Sequence, residues 1–456
     1  MMSKLLIIGG SDAGISAALR ARELDPEVDV TILLADDYPN FSICGLPFYL
    51  SGEVPDWRAL AHRTREDLLA QSIRLFTRHT ATAIQPASKE VVASTSEGQT
   101  VRLRYDKLVI ATGAVSRKPR SIKGLETPGV FLLRWMDDSF AIEEFIRQRK
   151  PASALVVGGG YIGMEMADSF IRRGLETTVA GRSVLKTVDL SFGNMIRAEL
   201  ERNGVRVAGS SVEEIKPGDG GLAVSGTEGF TAQADLVLVA AGAEPAVALA
   251  QSAGVALGAG GAIMVNRAME TNLPDIYAAG DCAQTWHRLL DHPVYLPLGT
   301  SAHKQGRIAG ENALGGNKEY AGTLGTQVVK IFDLAVARTG LREEEARAGG
   351  FSPFTVETES WDHKNYYPGA HQLRIRVTGD RVTGRLLGAQ IIGHWRAEVA
   401  KRVDIFATAI FHGMKVEDMD QLDLSYTPPL SSPWDPVQMS AQAWCKALAS
   451  EGRMNV

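Results

Sequence analysis

The first half of the chain contains short apolar runs. Glycine-rich turns, and segments in which apolar residues recur with the period of a helix, separate these runs. A continuous apolar run of about four to eight residues is typical of a strand buried on both faces, and strands that alternate with helices form parallel sheets. The helical pattern after the first run extends through residues 15–24. The chain is therefore predicted to begin with α/β units. The runs that contain the predicted strands are residues 5–8, 28–34, 105–114, 154–165, 177–180 and 236–242.

The pattern changes near residue 325, where strands of alternating character replace the earlier units and a helical pattern follows at residues 398–411. This part is predicted to be an α+β domain without a nucleotide fingerprint. Two other stretches are predicted to be irregular: the polar one after Cys44 and a basic linker at residues 116–124. The strands predicted in the C-terminal part are residues 328–332, 373–377 and 385–392.

The composition is that of an ordinary soluble protein, with 45% hydrophobic and 22% charged residues among 456 and a net charge of -5. Such a length predicts about three domains. A mildly acidic chain without a basic run is not expected to bind nucleic acid, and the sequence lacks a membrane-spanning or signal-like run, which predicts a cytoplasmic protein without a membrane partner. The three cysteines stand far apart, so neither a disulfide framework nor a metal site is expected.

The first glycine-rich turn is an imperfect dinucleotide fingerprint. Gly9 and Gly14 hold the outer positions of the G-x-G-x-x-G pattern, and Ser11 holds the middle one. Serine is small enough for a pyrophosphate to approach the backbone at a helix N-terminus. The acidic residue expected after the second strand is displaced to Asp36. By itself this motif is equally compatible with a glycine-rich turn in any α/β protein.

The second fingerprint is complete, with Gly158, Gly160 and Gly163. Its second strand ends in a glycine followed by Arg182, and Lys186 lies close behind. An acidic residue at that strand end would bind a ribose 2′-hydroxyl and repel a 2′-phosphate, whereas arginine does the reverse. The sequence therefore favours NADPH over NADH, with NADH still possible. The alternative is that Arg182 lies on a solvated turn.

Cys44 is the candidate reactive residue. It follows the first βαβ unit and precedes a predicted helix start at residues 46–50. The positive end of a helix favours thiolate over thiol, which a redox-active cysteine needs. A lone thiol beside one nucleotide-binding unit and before another predicts a flavoenzyme that passes electrons from a nicotinamide to sulfur. A buried structural cysteine is the alternative.

Two further segments carry a family resemblance. Thr112 and Gly113 form a small-residue turn after an apolar run, and Gly280 and Asp281 end a later one. With the two fingerprints, this order resembles the pyridine nucleotide–disulfide oxidoreductases over nearly the whole chain. The resemblance implies an α/β fold with two Rossmann-like domains, for FAD and NAD(P), and a C-terminal α+β dimerisation domain. The implied segments are residues 1–117 (FAD domain, first part), 118–244 (NAD(P) domain), 245–325 (FAD domain, returning part) and 326–456 (dimerisation domain).

The same resemblance implies roles for individual residues. Asp281 is expected to bind the FAD ribitol, and the turn at Thr112 and Gly113 to lie against FAD. Tyr161 and Glu165 are expected at the face where nicotinamide meets flavin.

Cys44 has no cysteine partner nearby, and position 49 is tyrosine, so the chain resembles the single-cysteine branch of the family. In that branch the oxidases and peroxidases use a histidine that is matched here by Asp12. Two C-terminal segments resemble coenzyme A disulfide reductases, in which tyrosines of the partner subunit assist the departing thiol. Tyr367 and Tyr426 are the matching residues, and ordinary core or interface tyrosines are the alternative.

The resemblance also implies substrate contacts. Where the reductases have the segment Ser-Phe-x-x-Cys, this chain has Asn40, Phe41 and Ser42, then isoleucine and Cys44. Because of this difference, the identity of the disulfide substrate stays undecided. Arg20 and Arg22 lie in a region that contacts the coenzyme A nucleotide in the relatives. Two residues apart on a helix, they do not share one face, so at most one suits this role.

Together these features predict a homodimeric enzyme that reduces a small disulfide such as coenzyme A disulfide with electrons from NADPH, through FAD and Cys44. One alternative is an NAD(P)H oxidase or a persulfide or polysulfide reductase that uses Cys44 as sulfenate or persulfide. Another is a flavin-bearing redox sensor or electron-transfer partner. Cys445 is a passive cysteine or a resolving thiol, and Cys282 is expected to pack near the flavin.

Overall fold

The computed structural model describes residues 3–454, and its N-terminal part contains the first predicted βαβ unit. Helix α1 begins three residues before the predicted start, at the small-residue turn, and β1 and β2 begin and end within one residue of the predicted runs. The elements here are β1 (Lys4–Ile8), α1 (Asp12–Leu24), β2 (Asp29–Leu33), α2 (Leu46–Ser51), α3 (Arg65–Ala70), β3 (Ile73–Phe76), β4 (His79–Gln85), β5 (Glu90–Thr95), β6 (Thr100–Arg104), β7 (Lys107–Ile110) and β8 (Ala114–Ser116).

The middle of the chain contains the second predicted unit and then returns to the first. The elements are β9 (Val130–Phe131), α4 (Met136–Arg149), β10 (Ser153–Val157), α5 (Tyr161–Arg172), β11 (Glu176–Ala180), α6 (Leu190–Arg202), β12 (Arg206–Ala208), β13 (Val212–Gly218), β14 (Gly221–Gly226), β15 (Thr231–Ala234), β16 (Leu236–Val239), β17 (Ala243–Pro245), α7 (Ala248–Ser252), β18 (Ile276–Ala278), β19 (Thr285–His287), β20 (His292–Val294) and α8 (Gly299–Ala313). Short 3₁₀ turns lie at Ile43–Gly45, Trp57–Leu60, Thr227–Gly229, Ala259–Gly261 and, further on, Glu417–Gln421.

Two parallel five-stranded sheets have the same strand order. The first is β18-β7-β1-β2-β3 and the second is β9-β16-β10-β11-β12, so β1 and β10 occupy the same central place. Each is followed by a helix that begins at a glycine-rich turn. The two Rossmann-like units that the resemblance implies are therefore confirmed, and the pairing of β18 with β7 brings the returning segment into the first sheet.

Each parallel sheet has an antiparallel three-stranded insertion before its last long strand, β4-β5-β6 in one and β13-β14-β15 in the other. The helix start predicted at residues 46–50 is confirmed as α2, but the prediction that the stretch after Cys44 is irregular is wrong, since α3 and β3 to β6 lie there. Strands β4 and β6 alternate between exposed and half-buried residues, and their alanines and threonines give little hydrophobic contrast.

The C-terminal part is an antiparallel sheet with helices packed on it, as the sequence predicts for an α+β domain. Its strand order is β21-β22-β25-β24-β23, and α10 and α11 pack against these strands. Strands β22 and β23 and helix α11 were not predicted. The elements are β21 (Gln327–Ile331), β22 (Leu334–Gly340), α9 (Glu343–Ala348), β23 (Pro353–Trp361), β24 (Gln372–Asp380), β25 (Leu386–His394), α10 (Val399–Phe411) and α11 (Pro436–Met454).

Helix α2, directly after Cys44, packs on another part of the molecule. Leu46 and Leu50 are buried in one cluster with Phe170 of α5 and Ile331 of β21. The Ser169 hydroxyl, also on α5, donates a hydrogen bond of 2.7 Å to the carbonyl oxygen of Pro47. The helix after Cys44 is therefore packed between the second nucleotide unit and the C-terminal sheet. Within residues 3–454, no helix is both long and apolar enough to cross a membrane.

Candidate functional site

The first glycine-rich turn is shaped by close backbone contacts. Gly9 has φ +110°, and a Cβ on it would lie 2.1 Å from the carbonyl oxygen of Ala111. A Cβ on Gly14 would lie 1.9 Å from the carbonyl oxygen of Gly9. Ser11, at the N-cap of α1, makes no side-chain capping hydrogen bond. Because the first amide groups of a helix lack partners within it, this helix start can receive a phosphate group.

The second turn repeats this geometry. Gly158 has φ +114°, and a Cβ on Gly163 would lie 2.1 Å from the carbonyl oxygen of Gly158. Gly160 is different, since a Cβ there would meet nothing within 4 Å. The outer glycines are therefore required by packing, and Gly160 leaves an open approach to the backbone. This arrangement fits the pyrophosphate of a dinucleotide.

This contrast gives a matched pair of substitutions. Gly163→Ala is expected to lower the free energy of unfolding by about 1–3 kcal/mol, because its methyl group would overlap the carbonyl oxygen of Gly158. Gly160→Ala is expected to leave stability unchanged, because its φ of -84° is ordinary and its Cβ would point into open space, but to weaken nucleotide binding. Denaturant unfolding and nucleotide titration of both variants check this. Equal destabilisation by the two alanines would contradict it.

The segment after β11 carries the predicted 2′-phosphate ligands. Arg182 and Lys186 are both exposed, and no salt bridge to either is found among the described residues. Their cationic groups are free to meet an anion. On the neighbouring helix, the half-buried Tyr161 receives a hydrogen bond of 3.0 Å at its hydroxyl from Thr187.

Cys44 lies in the 3₁₀ turn Ile43–Gly45 that leads into α2, and it is exposed. The buried structural alternative is therefore excluded. Although the residue is exposed overall, the protein atoms around its sulfur desolvate the thiolate; this desolvation and the carboxylates of Glu165 and Asp12 raise the pKa of Cys44, and Arg134 opposes them. The direction is opposite to the one that the helix start predicts. Helix α2 has only six residues, and desolvation of the thiolate together with the nearby carboxylates outweighs its positive end.

Glu165 lies one turn into α5, near Cys44. Desolvation, with a smaller contribution from Asp168, raises the pKa of Glu165 to about 7. A half-buried carboxyl group with this pKa can hold or release a proton near neutral pH.

The raised pKa of Glu165 predicts a pH-dependent stability. Between the ordinary value of 4.5 and about 7, the folded protein binds more protons than the unfolded chain, so its unfolding free energy falls as pH rises. The full loss above pH 7 amounts to at most about 3 kcal/mol. We therefore expect cofactor-free Glu165→Gln to gain stability relative to wild type from about pH 5 to pH 8, measured by urea unfolding. The control is Glu176→Gln, at an exposed site on β11, the strand that follows α5. A stability difference between Glu165→Gln and wild type that stays constant with pH would contradict the expectation.

Asp281 follows β18 at the carboxyl end of the first sheet. It forms an ion pair of 2.5 Å with Arg134. Gly280 before it has φ +83°, and a Cβ there would lie 2.8 Å from the Cβ of Ala13 on α1. Arg134 was not predicted, because it belongs to a distant part of the chain and to no motif.

The remaining predicted cofactor residues surround the same sheet edge. Thr112 uses its hydroxyl to donate a hydrogen bond of 2.7 Å to the carbonyl oxygen of Ala246, and Gly113 has φ +69°. Asp36 accepts a hydrogen bond of 2.9 Å from the Tyr38 amide, and burial raises the pKa of its carboxyl group. These residues, with the first glycine turn, lie where parallel strands end, which is the usual ligand edge of such sheets.

The two predicted substrate arginines lie on different faces of α1. Arg20 lines a cleft of about 710 Å³ between α8 and α10 and pairs with Glu311 at 2.6 Å. Arg22 donates hydrogen bonds of 2.9 Å to the backbone carbonyl groups of Val28 and Gln71. Arg22 is thus held by backbone groups, and Arg20, at the wall of the cleft, is held by two carboxylates, since it also pairs with Glu23 at 2.9 Å.

The segment before Cys44 is strained and largely enclosed. Asn40 is buried with φ +57°, and its side-chain oxygen has no hydrogen-bond partner among the described residues. Phe41 packs against Trp57 with ring centroids 5.6 Å apart. Ser42 precedes the 3₁₀ turn and does not cap it with its side chain. An unpaired buried amide oxygen four residues before Cys44 is a feature that a ligand donor would satisfy.

Tyr367 and Tyr426 are exposed on the C-terminal domain, with 43% and 47% of their surface accessible. Tyr367 lies edge-on to His363, with centroids 6.0 Å apart. Partial desolvation by neighbouring atoms, and the adjacent Tyr366, raise the pKa of the exposed Tyr426. Among the described residues, no hydrogen bond joins either phenol to Cys44 of the same chain, and large exposed aromatic side chains are typical of a protein interface.

The other two cysteines differ from Cys44. Cys282 is fully buried, and its sulfur lies 3.5 Å from the carbonyl oxygen of Ile110. Cys445 is half-buried on α11, beside the core of the C-terminal domain. Among the described thiols, only Cys44 is exposed.

Comparison with known proteins agrees with this arrangement. Residues 3–306 match the family model described as pyridine nucleotide-disulphide oxidoreductase, and residues 326–436 match its dimerisation domain. The chain is 33% identical over 450 residues to a protein of Pyrococcus furiosus named NAD(P)H sulfur oxidoreductase (CoA-dependent), which covers 96% of this chain and 98% of the relative. It is 32% identical over 449 residues to a coenzyme A disulfide reductase of Staphylococcus aureus, covering 96% and 99%.

A solved structure described as an NAD-dependent persulfide reductase from A. fulgidus superposes with a TM-score of 0.93 at 34% identity. The match covers 98% of this chain and 84% of that one. The two family models together span most of the chain, in the order that its sheets show. The chain belongs to the pyridine nucleotide-disulphide oxidoreductase family and carries the dimerisation domain of that family at its C-terminal end.

Proposed function

We propose that this chain reduces the sulfur–sulfur bond of a small substrate, coenzyme A disulfide above all, with electrons from NADPH and with Cys44 as the reacting thiol. The observation that carries the proposal is the exposed Cys44 beside Glu165, at the point where α2 packs against the nucleotide domain. The family uses FAD and NAD(P)H, and the two glycine turns fit two dinucleotides. The names of the relatives, which include CoA disulfide reductase and CoA-dependent sulfur oxidoreductase, support the substrate class.

Bound FAD would take a hydride from the nicotinamide and return an electron pair to sulfur. The residues that would hold it are Gly9, Ser11, Gly14, Thr112 and Asp281, around the carboxyl edge of the first sheet. The NAD(P) would lie on the second glycine turn, with Tyr161 and Glu165 at its reactive end. We assign the domains accordingly as residues 1–117 and 245–325 for FAD, 118–244 for NAD(P) and 326–456 for dimerisation, which the sheet memberships support.

In the sulfur half-reaction, the Cys44 thiolate attacks one sulfur of the substrate disulfide. A bond forms between Cys44 and that sulfur, and the other half leaves as a thiolate, which takes up a proton. Two electrons and one proton then cleave the mixed disulfide, which releases the second thiol and restores the Cys44 thiolate. Because its pKa is raised in the cofactor-free chain, Cys44 must lose its proton before it attacks.

The leaving thiolate needs an acid, and the exposed phenols of Tyr367 and Tyr426 have the right chemistry. We infer that the protein is a homodimer in which these groups come from the partner subunit, since no hydrogen bond within the described chain joins them to Cys44. The unpaired cysteines support a reducing, cytoplasmic setting. Arg20, which lines a cleft, is our candidate for the coenzyme A nucleotide, and a phosphate there would replace its ion pairs with Glu311 and Glu23.

NADPH is expected to be preferred to NADH. One charge-assisted contact from Arg182 to the 2′-phosphate contributes about 1.5–3 kcal/mol, which corresponds to a preference of roughly tenfold to over a hundredfold. Arg182→Ala should lose most of this preference through KM, with kcat nearly unchanged. Steady-state kinetics with both nucleotides measure this preference. Arg172→Ala is unsuitable as a control because Arg172 pairs with Asp168. The exposed Arg206→Ala is suitable, and equal kcat/KM of the wild type for both nucleotides would contradict the expectation.

A screen of NADPH consumption tests the proposed substrate. Coenzyme A disulfide, glutathione disulfide, a coenzyme A persulfide, polysulfide, peroxide and oxygen are offered to the FAD-loaded protein. The proposal expects turnover with coenzyme A disulfide at least tenfold above that with glutathione disulfide. Turnover with persulfide alone would establish the second candidate, which the name of the Pyrococcus furiosus relative favours. Oxygen as the only acceptor would contradict both.

A further inference from the structure

The segment that carries the predicted 2′-phosphate ligands, residues 181–189, is held in an uncommon conformation. Leu185 has φ +42°, in a backbone region that residues other than glycine rarely adopt. Its amide donates a hydrogen bond of 2.7 Å to the carbonyl oxygen of Gly159 in the second glycine turn. A Cβ on Gly159 would lie 2.1 Å from the carbonyl oxygen of Ser183. The first half of the segment is thus fixed against its own nucleotide turn.

The second half is fixed by the C-terminal domain. Arg338 of β22 is buried, and its guanidinium donates a hydrogen bond of 2.7 Å to the carbonyl oxygen of Thr187. The Thr187 hydroxyl in turn donates to the Tyr161 hydroxyl at 3.0 Å. The guanidinium also binds Glu345 at 2.7 Å, and although burial acts in the opposite direction, Arg338 lowers the pKa of Glu345 to about 2. A fully charged pair therefore holds the guanidinium that contacts Thr187.

A second contact from the same domain holds the end of the segment. The Asp189 amide donates a hydrogen bond of 2.8 Å to the side-chain oxygen of Gln390, and the Gln390 side-chain nitrogen donates to the Asp189 carboxylate at 2.8 Å. Arg376 also pairs with Asp189 at 2.8 Å. Gln390 is buried in β25, so this reciprocal pair is shielded from water.

We propose that Arg338 and Gln390 are positioning residues for nucleotide recognition: the C-terminal domain sets the conformation in which Arg182 and Lys186 meet the 2′-phosphate and Tyr161 faces the nicotinamide. This rests on the proposed NADPH preference. Arg182 and Lys186 are exposed and can bind tightly only if the backbone beneath them is already ordered, because ordering it on binding reduces affinity. The domain named for dimerisation therefore takes part in nucleotide selection.

The test uses the FAD-loaded protein and two nucleotide fragments, 2′,5′-ADP and 5′-AMP, as competitive inhibitors. Arg338→Met and Gln390→Leu should each raise the inhibition constant of 2′,5′-ADP by roughly tenfold, the effect of one lost buried hydrogen bond, and that of 5′-AMP by less. The kcat at saturating NADPH should change by less than about twofold in Gln390→Leu, because the contacts of Gln390 with Asp189 do not involve Tyr161. Arg402→Met is the matched control, because Arg402 is another buried arginine of the C-terminal domain, and its guanidinium donates to the carbonyl oxygens of Ala397 and Asp362, outside the segment.

The outcomes separate the inference from the function on which it rests. A wild type that binds both fragments equally would refute the NADPH preference. The positioning role of Arg338 and Gln390 would then still require that both variants bind both fragments more weakly than the wild type. A lower melting temperature with unchanged inhibition constants would show that these contacts only join the domains. If Arg338→Met does not fold, Gln390→Leu decides, since it leaves the buried ion pair of Arg338 and Glu345 intact.

Discussion

Cys44→Ser is expected to lower turnover of the disulfide substrate by roughly a thousandfold or more, because serine lacks the nucleophilicity and redox chemistry of the thiol. Reduction of bound FAD by NADPH should continue at the wild-type rate, since Cys44 has no role in the hydride step. The two-electron-reduced wild type should show a long-wavelength absorption band from contact between thiolate and flavin, and the variant should lack it. Anaerobic stopped-flow spectroscopy measures both rates and the band.

The chain offers a matched control for this substitution. Cys445→Ser changes a thiol that lies half-buried on α11, and it should leave both half-reactions unchanged. Loss of activity in Cys445→Ser would instead indicate a resolving thiol. Undiminished disulfide reduction by Cys44→Ser would remove Cys44 from the mechanism.

The second large effect concerns Tyr367 and Tyr426. The double Phe variant is expected to lower disulfide reduction by roughly a hundredfold to ten-thousandfold, the usual contribution of a general acid, and to leave flavin reduction unchanged. If the partner subunit supplies these tyrosines, a heterodimer of this variant with Cys44→Ser has one intact site and one site with both defects. Activity should therefore return when the two inactive proteins exchange subunits.

Sedimentation and activity after subunit exchange decide between two arrangements. Tyrosines that act within their own chain would leave both sites of the heterodimer defective, and no activity would return. A fully active monomer would exclude composite sites altogether. His363→Phe, beside Tyr367, is the control for disturbed packing of the exposed segment, and it should keep most of the activity.

The fold could be predicted from the sequence where the backbone itself imposes the residues. Gly9 and Gly158 stand at the same place in two sheets of identical order, and each meets a carbonyl oxygen that excludes any side chain. Such contacts leave a local signal in the sequence. The half-exposed strands β4, β6 and β23 do not, because one face has no requirement for apolar residues.

The candidate site was predictable only in part, because some of its properties depend on residues that are distant in the sequence. Cys44 is marked by its position after the first unit, but its pKa is raised by desolvation of the sulfur and by Glu165, which is more than one hundred positions away in the chain. Arg134 meets Asp281, and Arg338 meets Thr187, through contacts between separate domains. Charge balance of this kind depends on tertiary packing and leaves no local pattern.

The central claim is that Cys44 carries substrate sulfur covalently between two electron transfers, and intact-protein mass spectrometry tests it most directly. FAD-loaded protein is reacted with coenzyme A disulfide, freed of excess reagent and titrated anaerobically with NADPH. The account predicts one coenzyme A per chain, located on the peptide that contains Cys44, released by one equivalent of NADPH and absent from Cys44→Ser. Turnover without any adduct, or the same adduct on the Cys44→Ser protein, would contradict it.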